Sequence, residues 1–341
     1  MEWQKINIPG ASAGAPALDG GKGAPETAGP FPSRFDQGKT IVKTVLEAVP
    51  PELHKGDAAV DAVVEKVAAI QAGTPLDAVN IPEIHEEPSR SSKGERRKPF
   101  APRMAPRDLA RILHDRLGLE CMINHVVVHH DSEQALVDWA RETWETCGIR
   151  QFVLVGGGRR SARYPGPTVP EANRLMRDRA GIPALRIGNI CIPSRDDEAR
   201  RVAAKVTAGA DFFTTQILYE PEGFTGMLDT LAEEGGAPAE ILLAFCPVRS
   251  VRNLRFLLWL GVSLSDALEQ WLTAIDDAVP ERSLAQIRRA WTDIIGHQHA
   301  HGREAPNLGV NLAPIGPIAA ETTIDLATDL ARLHHAGSRA V

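Results

Sequence analysis

Eight short stretches of apolar and β-branched residues recur along the chain, and each is followed by a segment with apolar residues at helical spacing. Strands that alternate with helices in this way indicate a parallel sheet covered by helices. Eight such pairs are the number that closes a (β/α)8 TIM barrel, which is the predicted α/β fold class. A doubly wound sheet is the alternative, but no Gly-x-Gly-x-x-Gly run follows the first strand. The predicted strands lie at about residues 40–49, 77–84, 120–128, 150–156, 184–192, 211–220, 240–248 and 308–315.

The first 38 residues differ from the rest because they are rich in Gly, Ala and Pro and poor in large apolar side chains. Such a segment cannot bury enough surface to offset the entropy lost on ordering. We therefore predict a flexible arm at residues 1–38 with an extended course, and a barrel catalytic domain at residues 39–341. A basic insertion, residues 86–100, follows the second strand. A solvated loop is its favoured interpretation, and a lid or a contact to a cofactor phosphate is the alternative.

Composition excludes several classes of function. The 341 residues carry a formal net charge of -6, which counts against a nucleic-acid binder and against an anionic membrane surface. No apolar run is long enough to span a bilayer, the N-terminus lacks a secretory pattern, and the four cysteines lack a metal or disulfide spacing. We expect a cytoplasmic protein with reduced thiols and no metal. The sequence leaves open whether the protein forms a homo-oligomer. His297, His299 and His301 alternate in what we predict to be a solvated loop.

Polar residues end several of the apolar strands, where a barrel enzyme keeps its substrate site. Glu47 ends the first strand, His125 lies in the third, Gln216 in the sixth and Asn311 in the eighth. Each alone fits a satisfied buried polar group, but together they predict a polar cleft. The fourth strand runs into Gly156-Gly157-Gly158-Arg159-Arg160, whose backbone N–H groups and charge suit a diphosphate; a flexible turn is an equal alternative.

Three segments resemble the methylenetetrahydrofolate reductase family. Leu46-Glu47-Ala48-Val49-Pro50-Pro51 is similar to the motif of its first strand, and Asn124-His125 is similar to its third strand. Lys205-Val206-Thr207-Ala208-Gly209-Ala210, followed by Thr215-Gln216, resembles a third family segment with the same internal spacing, and it is the most specific of the three. The likeness runs from about residue 39 to the last helix.

The resemblance implies a barrel enzyme that reduces 5,10-methylenetetrahydrofolate to 5-methyltetrahydrofolate. Glu47 then matches the acid that delivers a proton to N10, and Gln216 matches the amide that binds the pterin. His125 is assigned to the same substrate site, as is Asn311 from its position. Lys205 and His125 match positions that touch flavin in the family. The predicted cofactor set is Lys205, Gly156, Gly157, Gly158 and Arg159.

Two departures from the family pattern concern the flavin. The family's Arg-Gly-Asp after the fourth strand reads Val155-Gly156-Gly157 here, and its Thr-Tyr-Gly near the second strand reads Asn80-Ile81-Pro82-Glu83. They count against bound FAD, and the chain resembles the flavin-independent bacterial branch. The leading hypothesis is direct hydride transfer from NADH, with NADPH open. The alternatives are an FAD-dependent reductase of the same family and a non-redox folate-binding barrel, such as a methyl-transfer partner.

Overall fold

The structure is a computed structural model that describes residues 42–86, 88–89, 91–157, 163–301 and 307–337. The predicted N-terminal arm, residues 1–38, lies outside the described residues, and so do Gly158 and Arg159 of the glycine run. Across these described ranges, no helix combines the length and the apolar character that a membrane span requires.

Eight parallel strands close into a barrel in which every strand pairs with the next one in sequence, and the last strand pairs with the first. Each predicted strand is present, which confirms the (β/α)8 fold. The strands are shorter than predicted because flanking residues turn into loops; the sixth, for example, ends at Thr215. The strands are β1 Thr44–Glu47, β2 Ala78–Pro82, β3 Cys121–Val126, β4 Gln151–Val155, β5 Arg186–Cys191, β6 Phe212–Thr215, β7 Glu240–Phe245 and β8 Asn307–Leu312.

Helices cover the outside of the barrel, with one after most strands and three after β7. Two of these three, α7 and α8, are additions to the basic pattern. Ser132 caps α3, because its side-chain oxygen accepts from the backbone N–H of Ala135 at 3.2 Å. The helices are α1 Gly56–Gly73, α2 Pro106–Leu117, α3 Glu133–Cys147, α4 Val169–Arg179, α5 Glu198–Thr207, α6 Glu222–Glu234, α7 Val251–Trp259, α8 Asp266–Thr273, α9 Val279–His301 and α10 Ala320–Gly337.

The apolar core has two parts, because strand side chains alternate between the barrel interior and the helices. The larger part fills the layer between sheet and helices and includes most of the buried Leu, Ile and Phe side chains. The smaller part fills the interior of the barrel, which makes it a packed plug and not a pore. Its buried members are Val45, Ala78, Met122, Val153, Phe212 and Leu242.

A partly buried ionic cluster lies at the amino ends of the strands, which form the closed end of the barrel. The Lys43 ammonium lies 2.7 Å from both carboxylate oxygens of Glu240. The Arg186 guanidinium donates to the same carboxylate at 3.2 Å and lies over the Phe212 ring, 5.1 Å from its centroid. Three strands are therefore tied together below the apolar plug.

Two smaller predictions have different outcomes. Cys121, Cys191 and Cys246 are free thiols, as predicted, and they are buried, where they pack as small apolar residues. The predicted His-rich loop is wrong, because α9 continues to His301 and the His297 ring contacts the Asp229 carboxylate at 2.9 Å. Among the residues that the structure describes, no group of three or more His, Cys, Asp or Glu is placed to hold a metal ion.

Candidate active site

A polar floor lies inside the barrel just below its mouth, meaning the carboxyl ends of the strands. Side chains from alternate strands share a level in such a barrel, so strand register tells which residues face each other. By this register the upper layer holds Glu47 and Asn124 with the apolar Ile190 and Ala244. The layer below holds Asn80, Thr214 and Asn311 with Val153.

Glu47 is the acid of this floor, and amides from both neighbouring strands flank it. Asn80 donates to its carboxylate at 3.4 Å, and the Asn311 side chain also hydrogen-bonds to it. Burial raises the pKa of Glu47 to about 7, and the two amide hydrogen bonds, which favour the charged form, oppose this only in part. The residue itself is half-buried at the end of β1. Glu47 can therefore hold a proton near neutral pH and release it to a ligand.

Asn311 links Glu47 to the far side of the floor. Its amide nitrogen donates to the Thr214 hydroxyl at 3.4 Å, across from β8 to β6. Gln216 follows β6 at the mouth, where its nitrogen bonds to the Leu260 carbonyl at 3.5 Å and its oxygen accepts from the Ile217 N–H at 3.0 Å. The structure thus brings Glu47 and Asn311 together, whereas no hydrogen bond of the described residues joins Gln216 to them.

His125 lies on the helical side of β3 and not in the barrel interior. Its ring stacks on Trp139 of α3 with centroids 3.5 Å apart, and its Nδ1 lies 2.9 Å from a Glu83 oxygen. Its Nε2 lies 2.6 Å from Nε2 of His130. Asn124 is the β3 residue that faces the interior instead. The structure therefore does not bring His125 to Glu47, and its predicted contact with substrate has no support from this geometry.

The partners of His125 form a hydrogen-bonded chain. Burial opposes the charge of Glu83, but hydrogen bonds from His125, His85 and the Val126 N–H outweigh it and hold the pKa of Glu83 below its usual range. Burial and the neighbouring His125 lower the pKa of His130. The Glu83 carboxylate accepts from the His125 Nδ1–H and so orients the ring, while the donor and acceptor roles in the contact between the two Nε2 atoms depend on the tautomers.

Lys205 also lies on the helical side of the barrel, in α5. Its ammonium donates to the Ile190 carbonyl at 2.7 Å and lies 3.5 Å from the Glu198 carboxylate. Burial lowers the pKa of Lys205, while the charge of Glu198 raises it. The side chain is held within the barrel wall, so its predicted cofactor contact stays a prediction that these contacts do not favour.

Gly157, in the described part of the glycine run after β4, lies against Tyr164. A Cβ on Gly157 would overlap the Tyr164 ring, which explains the need for glycine there. The following helix, α4, begins with a capping box in which Glu171 accepts from the Thr168 N–H at 2.8 Å. That carboxylate disfavours an anion at the start of α4. The predicted diphosphate contact therefore rests on the backbone of the run, of which Gly156 and Gly157 are described.

Residues 91–105, which we call the strap, run along the mouth between β2 and α2. Lys93 forms ion pairs with Asp266 and Glu269 of α8, and the second of these measures 3.1 Å. Arg96 lies over the Trp259 ring, 5.0 Å from its centroid. At its other end the strap returns to the loop after β1, where residue 103 pairs with residue 52. Most residues between 91 and 100 are exposed, which agrees with the predicted solvated loop, but the segment is also anchored to the helices after β7 and to the loop after β1.

Gly94 gives a test of how the strap is held. A Cβ at this position would overlap the backbone of Trp259, so Gly94→Val should lift the strap from α7. The basic residues around Gly94 are trypsin sites, and we expect their cleavage to accelerate by about tenfold, corresponding to roughly 1.4 kcal/mol of local stability. The control is Gly226→Ala, because a Cβ at Gly226 meets no atom within 4 Å. Equal cleavage of both variants would contradict the anchored strap.

Sequence reasoning missed three members of the polar floor: Asn80, Asn124 and Thr214. Each lies within an apolar strand and was treated as part of its core or of a family motif. The available signal was the two-residue period that links each of them to an interior neighbour on the same strand: Ala78, Met122 and Phe212, respectively. Knowing the inward face of one strand would have found all three.

Two comparisons relate the chain to known proteins. Residues 181–302 match the family model described as methylenetetrahydrofolate reductase, a range that includes Lys205 and Gln216 but not Glu47. An uncharacterized protein from Clostridium thermocellum that binds two copies of 5-methyl-5,6,7,8-tetrahydrofolic acid matches with a TM-score of 0.69 and 18% identity, covering 87% of this chain and 97% of that chain. That likeness shows the shared barrel fold. No curated protein sequence matches the chain. The chain is therefore a (β/α)8 barrel that is similar, over residues 181–302, to the methylenetetrahydrofolate reductase family.

Proposed function

We propose that the protein is an oxidoreductase that interconverts 5,10-methylenetetrahydrofolate and 5-methyltetrahydrofolate. The observation that carries this proposal is Glu47, an acid with a pKa raised to about 7 among amides at the barrel mouth. Two comparisons support it: the family model over residues 181–302, and the folate bound by a protein of the same fold. Folate binding alone needs no such acid, which favours the redox reaction over a non-redox folate barrel.

Glu47 supplies the proton that opens the five-membered ring of the substrate. The bond between N10 and the bridging methylene carbon breaks, its electron pair stays on N10, and the Glu47 proton is transferred to that nitrogen. The remaining N5 iminium is the electrophile for hydride. A general acid works best when its pKa lies near the working pH, which is the position that burial gives Glu47.

The amides and hydroxyl of the floor orient the substrate in this proposal. Asn311 and Asn80 hydrogen-bond to the Glu47 carboxyl from both sides and so fix the orientation of the acidic group. Gln216 lies above them at the mouth, half-buried, where its amide is suited to donate to and accept from the pterin edge. Rotation away from the Leu260 carbonyl, a contact of 3.5 Å, would free its nitrogen for that role.

The residues present fit a bound flavin poorly. The charged donor and acceptor of Arg-Gly-Asp are replaced by Val155-Gly156-Gly157. His125 and Lys205, which touch flavin in the family, already use their polar atoms on Glu83, His130, Glu198 and the Ile190 carbonyl. These contacts support NADH, or NADPH, as a second substrate that binds beside the folate. Hydride would leave C4 of the dihydronicotinamide with its electron pair and bond to the methylene carbon, while the iminium π pair returns to N5.

The test begins with the absorbance spectrum of the purified protein, followed by steady-state kinetics with NADH and methylenetetrahydrofolate. We expect no flavin spectrum, and intersecting initial-rate lines that report a ternary complex. Deuterium on the transferring face of NADH should appear in the product methyl group. Parallel lines, or a bound flavin bleached by NADH, would select the FAD-dependent alternative. Folate binding without NADH oxidation would select the non-redox barrel.

A further inference from the structure

Three amide oxygens of the polar floor are buried without a hydrogen-bond donor: Oδ1 of Asn80, of Asn124 and of Asn311. Asn80 and Asn311 are 1% and 2% exposed, whereas Asn124 is half-buried at the level of Glu47. Buried acceptors are nearly always paired in folded proteins, so three in one place need an explanation. They come from strands β2, β3 and β8, which surround Glu47 on β1.

Hydrogen bonds of the amide nitrogens set the orientation of two of these side chains, Asn80 and Asn311. The Asn80 nitrogen donates to Glu47 at 3.4 Å, and the Asn311 nitrogen donates to Thr214 at 3.4 Å. Exchanging oxygen and nitrogen in either side chain would turn an acceptor towards the Glu47 carboxylate and lose the hydrogen bond to it. The amide oxygens are therefore the acceptors that remain available to a donor on another molecule.

The residues around the three oxygens indicate the charge and shape of the ligand that fits there. The floor contains no Lys or Arg among its described members, and the interior cations Lys43 and Arg186 lie at the closed end. An anion is therefore disfavoured this deep. The opposite wall is apolar, with Val153, Val155 and Ile190. A flat, neutral ring with N–H groups along one edge matches a polar arc that faces an apolar wall.

We propose that Asn80, Asn124 and Asn311 read the N–H donors of a heterocyclic ligand through these three oxygens. This rests on the proposed function, under which the ligand edge is the 2-amino-4-oxopyrimidine side of the tetrahydropterin with its amino and ring N–H groups. The anionic end of the folate then points out of the mouth, towards the basic strap. Recognition of the ring is thereby separated from proton delivery by Glu47.

Asn124 gives the cleanest test, because Asn80 and Asn311 also bond to Glu47. Titration of the protein with 5-methyltetrahydrofolate measures binding without turnover. We expect Asn124→Leu to weaken binding by tenfold or more, since it leaves a ligand N–H without an acceptor. Asn124→Asp keeps an acceptor and should therefore weaken binding less than Asn124→Leu does. The melting temperature of ligand-free Asn124→Leu should equal or exceed that of the wild type, because a buried acceptor without a donor has been removed.

Two comparisons separate recognition from general disruption. The control Gln151→Leu removes another buried amide oxygen without a donor, in the β4 residue at the closed end of the interior, and should leave binding unchanged. The 2-desamino analogue of 5-methyltetrahydrofolate lacks one donor group, so Asn124→Leu should weaken its binding less than it weakens that of the parent ligand. Wild-type binding by Asn124→Leu would overturn this inference and leave the proposed function intact. Failure of the wild type to bind the folate would overturn both.

Discussion

Replacing Glu47 with Gln is expected to lower the turnover of methylenetetrahydrofolate by about a hundredfold or more, the usual scale for a lost general acid. Gln cannot release a proton to N10, yet it keeps the shape and the hydrogen-bonding capacity of the side chain. The affinity for 5-methyltetrahydrofolate should therefore change little. Single-turnover rates, measured beside equilibrium titration, separate these two effects.

The pH dependence of the same enzyme follows from the raised pKa of Glu47. Reduction requires the protonated acid, so kcat/KM should be constant below about pH 7 and fall tenfold per pH unit above it. Glu47→Gln should lose this limb. A matched control is Glu52→Gln, which alters a carboxylate beyond the end of β1 that pairs with Lys55 at 2.9 Å on the outside. A Glu47→Gln enzyme with wild-type turnover and an unchanged pH profile would end the assignment.

Stability gives an independent check on Glu47 that needs no substrate. Its pKa rises from 4.5 to about 7 on folding, so the folded state holds the proton more tightly and loses stability as pH rises between these values. Glu47→Gln does not ionise and escapes this loss. Above pH 7 the variant should be more stable than the wild type by roughly 2–3 kcal/mol, allowing for partial exposure, and the difference should vanish near pH 4.

The barrel and its acid could be predicted from sequence for separate reasons. Eight alternations of strand and helix are compatible with few topologies, so the number of strand–helix pairs predicts the fold. Glu47 stands out because a carboxylate rarely lies in a run as apolar as Val45-Leu46, and Pro50 and Pro51 mark the strand end just beyond it. These signals are local, and the structure places Glu47 at the end of β1 as expected.

The roles of His125 and Lys205 could not be settled in the same way. Strands of a parallel barrel are apolar on both faces, so their sequences do not show which residues point inward. For β3 the choice between Asn124 and His125 depends on register with β2 and β4, which is a long-range property. The strap is another long-range feature. Its basic residues contact Asp266, Glu269 and Trp259, which are far away in sequence, so the sequence pattern alone does not reveal these contacts.

The sequence pattern does not show that the Glu240 carboxylate is largely buried. Among the variants discussed, replacement of Glu240 should lower the free energy of unfolding most. In the sequence it is only the polar first residue of a strand. In the structure its carboxylate accepts from Lys43 and Arg186, and the three side chains are 15%, 14% and 22% exposed. Glu240→Leu removes the shared acceptor from two poorly hydrated cations, so we expect unfolding in urea to require about 3 kcal/mol less free energy.

Two further variants show whether the loss comes from charge. Lys43→Met combined with Glu240→Leu removes one cation as well and should recover part of the lost stability, because an apolar pair replaces an ionic one. The control Asp61→Asn breaks a pair with Arg116 of similar length, 2.7 Å, in which both side chains are 53% exposed. That change should cost at most about 0.5 kcal/mol. A Glu240→Leu protein as stable as Asp61→Asn would mean that the cluster at the closed end is hydrated like a surface pair. If the cluster is dry, turnover below the unfolding transition should still match the wild type, because Glu240 begins β7 at the opposite end of the barrel from Glu47.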